Sequence, residues 1–258
     1  MSDNSRIEWT DATWNFLTGC THVSPGCDHC YAEALAKRLQ AAGTARYRDG
    51  FRLTIHEDVL SLPLTWRRPR RIFVNSMSDF FHEAVPLDVI RRAFAVMTAT
   101  PQHSYQILTK RADRLRRLAP SLTWPANVWM GVSIENQTFA FRAKRLREVP
   151  AAIRFLSVEP LLGPVTLDLT GIHWVIAGGE SGPAARPLDP AWVRSVRDQC
   201  VALEVPFFFK QWGGRTPKAG GRLLDGRTWN QFPASVNESA AQAGIKAEAR
   251  AAPVRAPA

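Results

Sequence analysis

The sequence predicts an α/β fold in which about six to seven parallel strands form a (β/α) barrel, complete or partial. Strand-like apolar runs recur along the chain at intervals of about 20 to 33 residues, the length of one βα unit. These runs are apolar at consecutive positions, which is typical of parallel strands covered on both faces. The segments between them mostly have helical spacing. The same pattern would also suit an open doubly wound sheet.

The first elements surround a cysteine-containing loop. A short apolar run at residues 14–17 predicts the first strand, whose carboxyl end leads to Cys20. Residues 31–42 predict a helix, because four apolar residues recur at i, i+3, i+4 and i+7 and Gly43 is a suitable stop. An extra strand at residues 51–55 and a helical turn or two over residues 59–66 follow.

A regular alternation of strands and helices begins after this connection. We predict six further strands, at residues 72–75, 105–108, 128–132, 153–156, 174–177 and 206–209. Helices are predicted at residues 86–98, 111–118, 137–147 and 190–203. Asp189 and Pro190 suit the start of the last helix as its cap and first turn. Residues 1–235 are expected to form a single domain, and the Ala-rich tail, residues 236–258, is expected to be disordered or partly helical.

The composition argues against a membrane span and favours an acidic partner. The 258 residues are 45% apolar and 22% charged, which suffices for one large domain with a substantial core. No stretch approaches about 20 consecutive apolar residues, and the polar start is not a signal peptide, so we expect a cytoplasmic protein. A net charge of +10 and a pI near 10.1 favour nucleic acid as the partner. Solvated helix faces are the alternative explanation for three basic clusters, at residues 67–71, 110–117 and 142–147.

Three of the four cysteines lie close together in a C-x6-C-x2-C loop, as Cys20, Cys27 and Cys30. Thiolates at this density suit zinc, cuprous copper or an iron–sulfur cluster. Zinc would need a fourth ligand, such as His22, His29 or the distant Cys200, whereas a four-iron cluster with three cysteines leaves one iron open. A disulfide would leave an odd thiol. Cys200 lies on an apolar helical stripe and is predicted to be a small buried residue.

Polar residues follow the predicted strands at their carboxyl ends, where the active site of a parallel barrel is built. In chain order they are Ser76, Ser78 and Asp79; Thr109 and Lys110; Ser133 and Glu135; Ser157 and Glu159; Gly178, Gly179 and Glu180; and Lys210 and Gln211. In a barrel these side chains converge at one mouth. The three glutamates would repel one another there unless a metal, a cationic ligand or lysine partners are present. Alternatively, individual glutamates are helix caps or loop salt bridges.

The cysteine loop after a first strand, with carboxylates at later strand ends, resembles the radical S-adenosylmethionine superfamily. The usual loop of that superfamily is C-x3-C-x2-C with an aromatic residue before the third cysteine; here the first gap is three residues longer and His29 takes the aromatic position. Residues 75–79, 107–111 and 132–134 are similar to the T-x-T-D, T-K-S and V-S-I segments of the spore photoproduct lyase branch. Over its whole length the chain most resembles an uncharacterised phage-associated family with a three-cysteine motif, through its segments W-T-D-x-T-W-N, G-G-E-S-G and K-Q-W-G.

The resemblance implies that the three clustered cysteines hold three irons of a 4Fe-4S cluster, whose fourth iron binds the amino and carboxylate groups of S-adenosyl-L-methionine. One electron would cleave the sulfonium to methionine and a 5'-deoxyadenosyl radical, which abstracts a substrate hydrogen. The implied cofactor-binding residues are His29, Tyr31, Ser76, Ser78, Asp79, Ser133, Glu135 and Glu159. The implied catalytic residues are Lys110, Glu180 and Lys210. The implied partners are a nucleic acid or nucleotide substrate and an electron donor.

The leading hypothesis for function is therefore a radical S-adenosylmethionine enzyme that acts on nucleic acid or a nucleotide in repair or modification. A second hypothesis is a zinc-stabilised, non-catalytic nucleic-acid-binding protein, which would bind zinc tightly. A third is a carboxylate-metal hydrolase that uses Glu135, Glu159 and Glu180, with the cysteines in a structural role.

Overall fold

The structure of the protein is a computed structural model that describes residue 5 and residues 7–234. The described strands are β1 (Ala12–Trp14), β2 (Leu17–Thr18), β3 (Thr54–Ile55), β4 (Arg71–Val74), β5 (Ser104–Thr109), β6 (Val128–Ser133), β7 (Ile153–Val158), β8 (Trp174–Gly178) and β9 (Phe207–Gln211). The described α-helices are α1 (Tyr31–Ala41), α2 (Leu87–Ala99), α3 (Ala112–Leu118), α4 (Phe141–Arg147) and α5 (Pro190–Ala202). The tail predicted at residues 236–258 lies outside the described residues. Within the described ranges, no helix has the length and apolar character needed to cross a bilayer.

Seven of the strands form one sheet in the order β1-β4-β5-β6-β7-β8-β9, which curls into a half-barrel. Each pairing in this sheet is parallel. The order follows the chain without reversing, whereas a doubly wound sheet reverses at a switch point. Strands β1 and β9 are the two edges of the sheet. The predicted (β/α) barrel is therefore confirmed in its partial form.

Helices α2 to α5 pack on the convex face of the sheet, where their buried side chains join those of the strands in the largest core cluster. On α2, for example, Ile90, Phe94 and Met97 are buried because their spacing puts them on one helix face. The connection from β7 to β8, residues 159–173, contains no helix. Its apolar side chains, among them Leu161 and Leu167, cover the sheet there instead.

The predicted first strand is the main correction to the element boundaries. The sequence predicts one strand at residues 14–17, but β1 ends at Trp14, and Leu17 belongs to β2, which pairs with β3. The chain turns between them because the Oδ1 atom of Asn75 accepts the N–H of Leu17 at 3.1 Å. The apolar pattern indicates correctly that Trp14, Phe16 and Leu17 are buried. It carries no information about which strand each residue joins.

The helix predicted at residues 137–147 is also divided. A 3-10 turn, Gln137–Phe139, precedes α4 because the side chain of Asn136 accepts the N–H of Thr138 at 3.0 Å and caps the turn. The predicted start of the last helix is confirmed, since Asp189 Oδ1 accepts the N–H of Ala191 at 2.8 Å. Local capping chemistry therefore decides where these helices begin.

The concave face of the sheet carries a second core, which we call the aromatic floor: Trp9, Phe73, Trp129, Ile153, Phe155, Trp174, Ile176 and Phe208. Trp174 is fully buried at its centre, with ring centroids 5.6 Å from Phe155 and 6.0 Å from Phe208. Side chains two residues apart on a strand point to the same face. Polar residues two positions beyond floor residues therefore also face inward, and Asn75, Ser157 and Lys210 line a cavity above the floor.

Candidate functional site

A cavity of about 720 Å³ opens at the carboxyl ends of the parallel strands. Residues 19–30, which we call the cysteine loop, form one wall, and residues after the strand ends form the others. All predicted site residues except Glu135 line it: Cys20, Cys27, His29, Cys30, Tyr31, Ser76, Ser78, Asp79, Lys110, Ser133, Glu159, Glu180 and Lys210. Glu135 is fully buried and does not line the cavity. The structure thus brings the strand-end residues and the cysteines to one place.

The three cysteines of the loop are free and partly exposed to the cavity. Cys20 follows Gly19, which has a φ of +83° and lies so close to the carbonyl of Arg52 that a side chain there would overlap it. Cys27 ends a 3-10 turn, and Cys30 occupies the cap position of α1. In the part of the chain that the structure describes, no group of three or more His, Cys, Asp or Glu side chains is arranged to hold one metal ion.

The thiols at the two ends of the loop are protonated in the metal-free protein. Burial raises the pKa of Cys20, the charge of Asp79 raises it further, and the guanidinium of Arg111 opposes the shift. Burial likewise raises the pKa of Cys30, against smaller opposing effects of nearby backbone N–H groups. A metal that binds these sulfurs has to displace protons, so its binding is favoured at higher pH. Cys200 differs, because it is fully buried in the convex core, as predicted, and burial raises its pKa to about 12.

Arg111 connects the first cysteine to the residues that follow β4. Its Nη1 atom donates to Asp79 at 3.1 Å and to the Sγ atom of Cys20 at 3.5 Å. Its Nη2 atom donates to the carbonyl and the hydroxyl of Thr21 at 3.0 and 2.9 Å. The hydroxyl of Thr109 also donates to Asp79, at 2.6 Å. Burial lowers the pKa of Arg111, but Asp79 and Cys20 raise it by more, so the guanidinium remains charged.

Glu135 contacts the middle of the cysteine loop at Ser24 and Gly26. Its Oε2 atom accepts a hydrogen bond from Arg142 at 2.8 Å, and its Oε1 atom accepts one from the hydroxyl of Ser24 at 2.6 Å. The Nζ atom of Lys110 lies 3.6 Å from Oε1. Gly26 lies directly over this carboxylate, and an added Cβ would be 2.6 Å from its Cγ atom. Each oxygen of the carboxylate therefore accepts a hydrogen bond from the chain's own groups.

Glu180 contacts the cysteine loop directly at His29 and, through Arg186, at Pro25. The guanidinium binds both carboxylate oxygens, at 2.6 and 3.0 Å, and its Nη2 atom also donates to the carbonyl of Pro25 at 2.7 Å. The Nδ1 atom of His29 lies 2.9 Å from Glu180 Oε2. Burial raises the pKa of Glu180, but the hydrogen bonds from Arg186 and His29 lower it by more, to about 2. The carboxylate is ionised throughout the physiological range.

Two glycines let the segment that contains Glu180 pack against the end of β9. A side chain at Gly179 would overlap the carbonyl of Trp212, and one at Gly213 would overlap the carbonyl of Glu180. Gly213 also has a φ of +84°, which L-residues with side chains rarely adopt. Close backbone contact explains why the G-G-E-S-G and K-Q-W-G segments both carry glycine beside the site.

The third carboxylate also has a cationic partner. The Nζ atom of Lys210 lies 3.2 Å from Glu159, and the hydroxyl of Ser157 donates to Glu159 at 3.4 Å. An added Cβ at Gly178 would be 2.5 Å from the same carboxylate. Each of the three glutamates therefore contacts a Lys or Arg side chain of this chain. These ion pairs relieve the repulsion expected among carboxylates at successive strand ends.

The remaining predicted polar residues organise the wall between the loop and β4. The hydroxyl of Tyr31 donates to the carbonyl of Ser76 at 2.5 Å, and that of Ser78 donates to the carbonyl of Gly19 at 2.6 Å. Asn75, at the cavity wall, is only 2% exposed, and its Nδ2 atom has no hydrogen-bond partner among the described residues. A buried, unsatisfied donor is costly unless another group accepts its hydrogen bond.

Four residues of the site were not predicted as site residues from the sequence: Asn75, Arg111, Arg142 and Arg186. Arg111 and Arg142 belong to the basic clusters, for which we weighed only nucleic-acid contact and solvated helix faces. The structure corrects both explanations for these residues, because the side chains of Arg111, Arg114 and Arg142 are buried and bonded within the protein. For Arg142 a signal was available, because it shares the buried face of α4 with Ala143 and Leu146, and a buried charge requires a partner.

Comparison with known proteins gives one family and several distant structures. A spore photoproduct lyase complexed with dinucleoside spore photoproduct is 13% identical, with a TM-score of 0.42, and the match covers 76% of this chain and 64% of that chain. A lyase variant with bound AdoMet and dinucleoside spore photoproduct is 13% identical, with a TM-score of 0.44, over 72% of this chain and 60% of that chain. A further spore photoproduct lyase variant is 15% identical, with a TM-score of 0.47, and the match covers 76% of this chain and 62% of that chain.

The chain spans less than two thirds of the length of each of these lyase chains. None of the curated proteins matches it. The model of one family, described as "Protein of unknown function (DUF5131)", matches residues 4–233, nearly the whole sequence. The chain therefore belongs to the DUF5131 family.

Proposed function

We propose that the protein is a radical S-adenosylmethionine enzyme, in which Cys20, Cys27 and Cys30 hold a 4Fe-4S cluster and the adjoining cavity holds S-adenosyl-L-methionine. The observation that carries the proposal is that one cavity is lined by all three thiols and by polar groups from six parallel strand ends. When bound, the cluster and the cofactor would supply one-electron cleavage of the sulfonium and hydrogen abstraction from the substrate.

The residues present fit this group. Thiolates are the usual ligands of iron–sulfur clusters, and a cavity of 720 Å³ has the size of a small-molecule site. An acceptor on the cofactor would satisfy the Nδ2 atom of Asn75. A single zinc ion fits less well, because Zn–S bonds of about 2.3 Å require sulfurs roughly 4 Å apart. The described side chains contain no group of three ligands arranged around one ion.

The chain's own residues would position the cofactor and exclude water. Lys110 and Lys210 line the cavity, and we assign them to anionic groups of the cofactor or the substrate. Glu180, already bound by Arg186, would hold His29 and the cysteine loop in place. The remaining predicted polar residues, Tyr31, Ser76, Ser78, Asp79, Ser133 and Glu159, would shape the cofactor side of the cavity. The aromatic floor closes the cavity from below, so water is excluded on that side.

The cavity wall also supports a nucleic acid or nucleotide as the substrate. Tyr31 lines the cavity and is 52% exposed, and an exposed aromatic residue offers a surface on which a base stacks. Arg38 and Lys218 line the same cavity and make no ion pair within the described ranges. Unpaired cations of this kind bind phosphates. The hydrolase hypothesis is less well supported, because all three of its carboxylates already contact Arg or Lys.

Anaerobic reconstitution with iron and sulfide tests the proposal. We expect a broad absorbance near ~400 nm, about four irons per chain, and release of 5'-deoxyadenosine from S-adenosyl-L-methionine in the presence of a reductant. Nucleic acid added to the assay should change the rate of release. Stoichiometric zinc without this absorbance, or an activity that needs magnesium but no reductant, would contradict the proposal.

Two cysteine variants provide a matched control. Cys27→Ala removes a proposed cluster ligand at the surface of the cavity, so it should abolish iron loading and leave the fold intact. Cys200→Ala removes a thiol from the convex core, so it should lower stability and leave iron loading unchanged. Equal iron loading by the two variants would exclude the assigned ligand.

A further inference from the structure

Three arginine–carboxylate pairs contact the same short stretch of chain. The stretch is residues 21–26, the gap between the first two cysteines, and we call it the cysteine gap. The pairs are Arg111 with Asp79, Arg142 with Glu135, and Arg186 with Glu180, at 3.1, 2.8 and 2.6 Å. The carboxylates follow three different strands, β4, β6 and β8. The cysteine gap is therefore connected to the ends of three strands of the sheet through these ion pairs.

The contacts are distributed along the gap. Arg111 donates to Thr21, the hydroxyl of Ser24 donates to Glu135, and Arg186 donates to the carbonyl of Pro25. The partners are separated by 90, 111 and 161 residues in the sequence. Gly26 adds a packing contact, because Glu135 occupies the space of its missing side chain.

The gap has little structure of its own to define its shape. Its 3-10 turn is closed by two backbone hydrogen bonds, from the N–H of Cys27 to the carbonyl of Ser24 at 2.8 Å and from the N–H of Asp28 to the carbonyl of Pro25 at 3.3 Å. Arg186 and Glu135 contact this turn from other parts of the chain, and Arg111 contacts Thr21, the residue next to Cys20. Buried ion pairs contribute little net stability compared with apolar packing, but they fix geometry. This is the property that a ligand-bearing loop requires.

We propose that the three arginine–carboxylate pairs are positioning residues that set the shape of the cysteine gap before any iron binds. They hold Cys20 and Cys27 at the cavity, so the sulfurs need not be ordered by the metal. The inference rests on the proposed function only for the identity of what the cysteines bind. The order of the gap in the metal-free protein is a separate quantity and can be measured by itself.

The test is hydrogen–deuterium exchange of metal-free protein, read on peptides that span residues 20–30. Arg186→Gln keeps a polar side chain but loses the two-point contact with Glu180 and the bond to Pro25. We expect exchange in these peptides to become at least about tenfold faster, with little change in the strands. Arg194→Gln is the matched control, because Arg194 also binds a carboxylate, Asp225, at 2.8 Å but does not line the cavity. It should leave the loop peptides unchanged.

Ser24→Ala is the second variant, because it removes the hydroxyl contact with Glu135 and leaves the ion pair between Glu135 and Arg142 in place. It keeps the test decisive if Arg186→Gln unfolds, and it should also speed exchange at residues 20–30. Unchanged loop exchange in a folded Arg186→Gln, or in Ser24→Ala, would overturn the inference. Arg186→Lys should restore part of the protection, since it keeps the charge beside Glu180.

Iron loading separates this inference from the proposed function. In Arg186→Gln we expect slower cluster assembly and altered g values of the reduced cluster, which a general loss of stability would not produce. If the unaltered protein binds no cluster while the loop peptides respond as expected, the proposed function fails and the positioning role stands. If both proteins load iron at the same rate and exchange identically, the positioning role fails and the proposed function stands.

Discussion

The two halves of the concave face carry opposite chemistry on the same strands. Phe73 is followed two residues later by Asn75, Phe155 by Ser157, and Phe208 by Lys210. The first member of each pair belongs to the aromatic floor, and the second lines the cavity. Because positions two apart point to the same side of a strand, one change of residue type turns a packed core into a site.

The two halves are also held in different ways. The floor is held by apolar packing, which is strong and not directional. The cavity half is held by ion pairs whose net contribution to stability is modest but whose geometry is specific. The comparison indicates that the floor determines whether the protein folds, whereas the ion pairs determine where the site residues point. Four substitutions test this division, from the largest expected effect to the smallest.

Trp174→Ala should have the largest effect, because Trp174 lies at the centre of the floor. Its ring contacts Trp129, Phe155 and Phe208, and its Nε1 atom donates to the carbonyl of Gln231 at 2.8 Å. We expect a loss of about 3–5 kcal/mol in the free energy of unfolding, measured by urea titration. A loss below about 1 kcal/mol would show that the floor is not a close-packed core.

Glu180→Gln should lower stability by less, and in a pH-dependent way. The lowering of the pKa of Glu180 from 4.5 to about 2 corresponds to at most roughly 3 kcal/mol, and solvent screening at the partly exposed Arg186 reduces this contribution. This stability is fully present above about pH 4.5 and is lost as the pH falls through about 2. The unaltered protein should therefore lose more stability than the variant on acidification over that window, in urea titrations at several pH values.

Glu148→Gln is the control for this prediction, since the side chain of Glu148 is 44% exposed and pairs with Arg116 at 3.4 Å. An exposed pair contributes about 0–1 kcal/mol, so its removal should leave the pH profile nearly unchanged. Parallel acid profiles for the unaltered protein and Glu180→Gln would show that the pair with Arg186 does not stabilise the fold.

Gly131→Ala should have an intermediate effect, because Gly131 lies between the two halves. An added Cβ would overlap the ring of Phe155, which belongs to the floor and cannot move freely. Overpacking of this kind costs about 1–3 kcal/mol, which calorimetry should detect as a lower Tm. An unchanged Tm would show that the floor adjusts to an added methyl group.

Gly178→Ala should have the smallest effect on stability and a clear effect on the site. Its added Cβ would meet the end of the Glu159 side chain, which is flexible and can rotate away. We expect a stability change within about 0.5 kcal/mol but a break in the contact between Glu159 and Lys210, now 3.2 Å. A crystal structure of the variant would check the contact. A loss as large as that of Gly131→Ala would contradict the division between the halves.

The strands, and the convergence of the strand-end residues on one cavity, were predictable because they depend on local pattern. Consecutive apolar residues indicated buried parallel strands, and the polar residue after each one indicated the mouth of the barrel. Cys200 was also predictable, because its helical stripe is apolar. The strand that Leu17 joins was not predictable. The chain turns before Leu17 because its N–H donates to the side chain of Asn75, 58 residues away.

The sequence by its own pattern predicted a parallel α/β fold, a complete or partial barrel with three cysteines near its mouth, because periodicity and turn residues act over a few positions; the half-barrel form came from the sheet order in the structure. Only the tertiary structure decided which charges pair, and with which part of the cysteine loop. Ser24 meets Glu135 across 111 residues, and His29 meets Glu180 across 151. Such pairs depend on how distant segments pack in three dimensions, and no local pattern in the sequence carries that information.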